Sequence, residues 1–76
     1  MDLQTEIENR LTNGFEGAEI EVGVQGNHAS VKVVSERFDG LRPVERQRLV
    51  YSCLNELIRN GSLHAVTIAA SVPKAQ

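Results

Sequence analysis

Two apolar patterns of different period, joined in a fixed order, constrain this chain more than any other feature. From Ala18 to Val24 the apolar residues alternate, with Ile20, Val22 and Val24 on one side and Glu19, Glu21 and Gly23 on the other, which predicts a half-buried strand. Gln25-Gly26-Asn27-His28 is a turn cluster, and Ser30 to Ser35, carrying Val31, Val33 and Val34, reads as the returning strand of a hairpin. Then the period changes. Phe38-Asp39-Gly40 closes the second strand, and Pro43 opens a long amphipathic helix. Its stripe of Val44, Val50, Tyr51, Leu54, Leu57 and Ile58 is ended by Asn60-Gly61. His64 to Ala70 is the last strand, closed off by Pro73. Ahead of the hairpin, Leu3, Ile7 and Leu11 fall four apart on a helix from Asp2 to Thr12, with acids in its first turn and Asn13-Gly14 as its stop.

The order helix, strand, strand, helix, strand is an α+β design. Strand two, the long helix and strand three form a crossover, so strand three is expected to run parallel to strand two. The expected architecture is a three-stranded mixed sheet with the helices on one face. That geometry has a functional consequence. His28 lies at the start of strand two and His64 at the start of strand three, so two histidines far apart in sequence fall at the same end of the sheet and become candidates for one site.

At 76 residues the chain is one domain, 1–76. A chain of this size buries only about 60 to 65% of the surface its unfolded form exposes, so its core is thin. No apolar run approaches the roughly 18 residues of a membrane span. The amino terminus, with Asp2, Glu6 and Glu8, lacks the basic and apolar regions of a signal peptide, and a cytoplasmic location is expected. The single cysteine, Cys53, implies neither an internal disulfide nor a cysteine metal cage. Net charge is −2, unevenly spread: residues 1 to 30 sum to −5 and residues 31 to 76 to +3. Any anion-facing surface therefore lies in the second half. The overall acidity argues against a protein that coats nucleic acid nonspecifically, a mode that needs many phosphate neutralisations.

Arg42, Arg46 and Arg48 stand in the first turns of the long helix, where positive charge is unfavourable by about 0.3 to 1 kcal/mol each. They are either a solvated face compensated locally by Glu45 or an anion-binding face for a partner's acidic groups or for nucleic acid. Gly23-Val24-Gln25-Gly26 spells the GXXG of nucleic-acid-binding KH domains, but that loop joins two helices and here the motif falls at a hairpin, where it is turn chemistry. Cys53, without a neighbouring base, reads as a small half-buried hydrophobe, and Tyr51 joins Phe15 and Phe38 as core aromatic bulk. Nothing points to an enzyme. The chain offers no nucleophile elbow, no paired carboxylates on adjacent elements and no glycine-rich phosphate loop.

Val33-Val34-Ser35, Phe38-Asp39-Gly40, Arg46-Gln47-Arg48-Leu49-Val50-Tyr51 and His64-Ala65-Val66, in this order and spacing, resemble the successive signatures of the BolA family over about Val31 to Pro73. Gln47 and the short chain are most similar to its acid-stress-linked, IbaG-like bacterial branch. The resemblance implies a fold similar to a class II KH domain and a non-enzymatic adaptor that partners a monothiol glutaredoxin. It also implies a two-iron, two-sulfur (2Fe-2S) cluster shared between the two proteins and not expected in the isolated chain. Glutaredoxin and glutathione would supply thiolates, and the position matching His64 a histidine. The family's second ligand comes from a variable loop between the first two strands whose position does not align onto this short turn, so His28 is a candidate by its place at the shared sheet end and not by a matched motif. A nucleic-acid-binding regulator using the helix after Pro43 is the alternative.

Overall fold

A computed structural model describes residues 2–73. In chain order the elements are α1 (Leu3–Gly14), β1 (Glu19–Gln25), β2 (His28–Val34), the short 3-10 turn η1 (Glu36–Phe38), α2 (Pro43–Arg59) and β3 (Ala65–Ser71). The sheet order is β1-β2-β3. β1 and β2 are antiparallel, and β2 and β3 are parallel. α1 packs over β1 and α2 over β3, so both helices cover one face of the sheet, and the crossover expected from the period change is in place.

Local chemistry sets the boundaries. Asp2 caps α1 by accepting the Thr5 backbone N–H at 2.8 Å, and the helix runs two residues past the expected stop, through Asn13 and Gly14 to a cap at Phe15. The hairpin loop is only Gly26-Asn27, with Gly26 at φ +64°, the left-handed first position that a two-residue turn of the II′ kind requires. Phe38 does not close β2. It sits, buried, at the end of η1, where its ring meets Phe15 at 5.2 Å between centroids, while Arg37 lies over the Phe15 ring at 5.1 Å. Ser35 joins the ends of β2 and β3: its N–H donates to the Ser71 carbonyl at 2.9 Å and its hydroxyl accepts the Arg37 N–H at 3.1 Å.

The core lies between sheet and helices. Ile7, Leu11 and Phe15 of the α1 region, Ala29, Val31 and Val33 of β2, Val50, Leu54 and Leu57 of α2, and Phe38 and Leu63 from the connections are all buried. β2 contributes one residue inward in two, as the pleat demands, and Val34 turns to the open face rather than joining Val31 and Val33. Two residues read as part of the α2 stripe are corrected. Val44 is 52% and Tyr51 42% exposed, so Tyr51 is not core, and the aromatic bulk of the interior is Phe15 and Phe38. The buried arc of α2 is narrower than its apolar sequence because the helix sits over an outer strand, and one of its flanks overhangs the sheet edge.

Candidate functional site

His28 is the first residue of β2, exposed, and in register with Gln25 on β1 and Ala65 on β3. His64 stands one residue ahead of β3, not inside it, and is also exposed. Its backbone N–H donates to the carbonyl of Asn27 at 2.9 Å, so the peptide preceding His28 is hydrogen-bonded to His64 itself. The two histidines share one end of the sheet because the parallel register aligns the starts of β2 and β3.

They are held there differently. His64 follows a closely tied link: Gly61 takes φ +85°, Asn60 Oδ1 accepts the Ser62 N–H at 2.9 Å, and the Leu63 N–H donates to the Leu57 carbonyl at 3.1 Å. The Leu63 side chain is fully buried and plugs the core directly beneath. His28 is placed by the two-residue hairpin and opens onto a shallow trough on the uncovered face of the sheet, lined also by Gly23, Gln25, Ser30 and Thr67. Gly23, Ser30 and Thr67 are lateral neighbours in the register, so the floor of that trough is one row of small side chains.

The three arginines do not form a single face. Arg42 is the residue before α2, and its backbone N–H donates to the Glu45 carboxylate at 2.8 Å. Arg46 is partly buried, with Nε donating to the Leu41 carbonyl at 3.0 Å, a bond that fixes the entry to the helix. Arg48 is exposed. At about 100° per residue, Arg46 and Arg48 lie on opposite flanks of α2. Sequence reading overlooked Arg59, exposed in the last turn, which falls about 20° from Arg48 around the axis. The spacing of eleven residues was the available signal.

Cys53 is half-buried, and burial pushes its thiol pKa up, opposed by the Ser52 side chain and the charge of Arg37. A raised pKa leaves less thiolate and makes it a poor nucleophile or ligand. Among the described residues, no three or more His, Cys, Asp or Glu are grouped so as to hold a metal ion. No helix among them is long and apolar enough to cross a membrane.

The profile of the BolA-like proteins matches residues 3–75. The chain belongs to the BolA family. It is 40% identical over 68 residues to the acid stress protein IbaG of Escherichia coli strain K12, an alignment covering 90% of this chain and 81% of IbaG. Solved BolA structures superpose closely on it. BolA1 from Arabidopsis thaliana gives a TM-score of 0.87 at 28% identity, covering 100% of this chain and 98% of that one. The BolA domain of SufE1 from the same plant gives 0.87 at 28% identity, covering 96% and 94%. The α+β architecture of this BolA-like chain, two helices on one face of a three-stranded mixed sheet, is thus that of the family.

Proposed function

We propose that this BolA-like chain is a non-enzymatic cytoplasmic adaptor that binds a monothiol glutaredoxin and shares a 2Fe-2S cluster with it, in cluster trafficking or in iron, redox or acid-stress sensing. The observation that carries the reading is the placement of two exposed histidines at one sheet end, with His64 backbone-bonded to the residue before His28. Similarity to a relative named as an acid stress protein supports the setting. Two imidazoles alone make an incomplete cluster site, so the remaining ligands fall to thiolates of glutaredoxin and glutathione. His64, set by the tied link behind it, is the ligand assigned first, and His28 the second. Imidazole ligation in place of thiolate raises a cluster's potential and couples it to protonation, which suits a sensor or a transfer step.

The chain's own part is to hold two exposed imidazoles open to a partner at one end of the sheet. The test is to mix the protein with a monothiol glutaredoxin, iron, sulfide and glutathione. A visible absorption and circular dichroism spectrum different from that of the glutaredoxin's own cluster is expected. An unchanged glutaredoxin spectrum would remove the shared cluster. The alternative, a DNA-binding regulator, calls for a sequence-selective complex that persists at physiological salt. Weak, salt-labile binding is the expectation for a chain of net charge −2.

A further inference from the structure

Val44 and Tyr51 are the exposed large apolar side chains among the described residues, and they stand on one helix. Seven residues apart, they lie about 20° from each other around the α2 axis. The direction of that flank follows from the rest of the helix. Cys53 lies against Gly14 of α1, and Glu56 pairs with Arg10 of α1 at 2.8 Å, so this side of α2 faces the neighbouring helix over β1. Val44 and Tyr51 point the other way. Because α2 packs over β3, and β3 is the outer strand, they project past its free edge.

That edge is unprotected. Among the described residues β3 pairs only with β2, and from Ala65 to Val72 it carries no charged residue, whereas the opposite edge strand β1 carries Glu19 and Glu21. Edge strands of stable monomers are ordinarily guarded by charges, prolines or bulges. A bare edge beside exposed apolar side chains is the surface that accepts an added strand.

Charge selects the occupant. Arg48 lies one turn from both Val44 and Tyr51, and Arg59 follows about 20° beyond Arg48 towards the outer surface of α2, both exposed. The two acids of α2 are engaged elsewhere, Glu45 with the Arg42 backbone and Glu56 with Arg10. A second copy placed across a two-fold axis on this edge would bring the same two exposed arginines to both sides of the contact, a like-charge arrangement that disfavours pairing. We propose that the free edge of β3, with the α2 flank of Val44, Arg48, Tyr51 and Arg59, docks an extended acidic segment of a partner protein. The segment's backbone continues the sheet beyond β3. Its apolar side chains cover Val44 and Tyr51, and its carboxylates meet the two arginines.

The proposal stands on the fold and does not require the shared cluster. Its test is an NMR titration of the isotope-labelled full chain with a capped synthetic peptide of alternating glutamate and valine, about as long as β3. A peptide with lysine for glutamate is the charge control. The acidic peptide is expected to slow exchange of the β3 amides facing away from β2 and to shift the Val44 and Tyr51 signals. Tyr51→Ala is expected to weaken it about tenfold, as for an aromatic anchor. R48Q/R59Q should weaken it and remove its salt dependence, and Glu21→Gln on the distant strand should leave it unchanged. Equal binding of the lysine peptide, a response confined to the trough beside His28, or no saturable response up to about 5 mM would overturn the proposal. Concentration-dependent self-association that protects the same β3 amides would overturn it in favour of a second copy.

Discussion

Gly14 is a residue whose role depends on one atom. It is the last residue of α1, where glycine costs up to about 1 kcal/mol relative to alanine, yet a Cβ built there would meet Cys53 Sγ at 2.5 Å. The Gly14 carbonyl also accepts a hydrogen bond from the Arg37 guanidinium, which lies over Phe15. The helix approach therefore outweighs helix propensity. Gly14→Ala is expected to destabilise by about 1 to 3 kcal/mol through overpacking. In a Cys53→Ala background the same change should become neutral or stabilising by up to about 1 kcal/mol. Chemical denaturation of the four proteins of this cycle decides it, and additivity of the two changes would refute the contact. From the sequence alone Asn13-Gly14 could only be read as a stop, because the reason for a glycine there lies on another helix. Tyr51 was misread for a related reason: periodicity places a residue on a side of a helix but does not say how wide the covered arc is. That His64 and His28 share one sheet end was legible because a parallel crossover fixes which strand ends coincide.

Among the elements, α2 buries Val50, Leu54 and Leu57 on one arc and exposes Val44 and Tyr51 on another, and the two arcs make opposite predictions. Leu54 is fully buried, so Leu54→Ala is expected to cost about 2 to 5 kcal/mol by lost burial and cavity formation. Val44→Ser, on the overhanging flank, should stay within about 0.5 kcal/mol of the parent. Equal denaturation midpoints for the two variants would contradict this assignment of faces. α1 is tied down at its first turn by Asp2, whose carboxylate is held below its ordinary pKa by the hydrogen bond from the Thr5 backbone N–H. A lowered folded-state pKa means that the contribution is present above the unfolded value of about 3.9. It is lost as pH falls through the lower folded value. Amide exchange in the first turn of α1 is expected to accelerate on acidification beyond the intrinsic pH effect. Asp2→Asn, which keeps a capping side chain without a titrating group, should abolish that excess.

Over the whole molecule, the charge asymmetry of the sequence becomes a spatial one. The acidic residues of α1 and β1 lie towards the β1 edge of the molecule, and exposed Arg48 and Arg59 lie on α2, over β3 at the other edge. An acidic partner is steered to the β3 side, and its association is expected to slow as salt rises. The parallel direction of strands two and three and the helix-covered face were legible because they follow from periods and connection rules, whereas the order β1-β2-β3 came only with the structure. The free edge of β3 with its overhanging side chains was not legible, since it exists only once α2 is seated over an outer strand. The histidine end joins these scales, and one measurement tests it most directly: the spectrum of the glutaredoxin, iron, sulfide and glutathione mixture with His64→Ala in place of the parent chain. The variant is expected to fold normally, since His64 is exposed, and to leave the glutaredoxin's own spectrum unaltered, while His28→Ala reduces the spectral change by less. A His64→Ala mixture with the full parental spectrum would remove His64 from the ligand set and contradict the shared-cluster reading at the residue on which it chiefly rests.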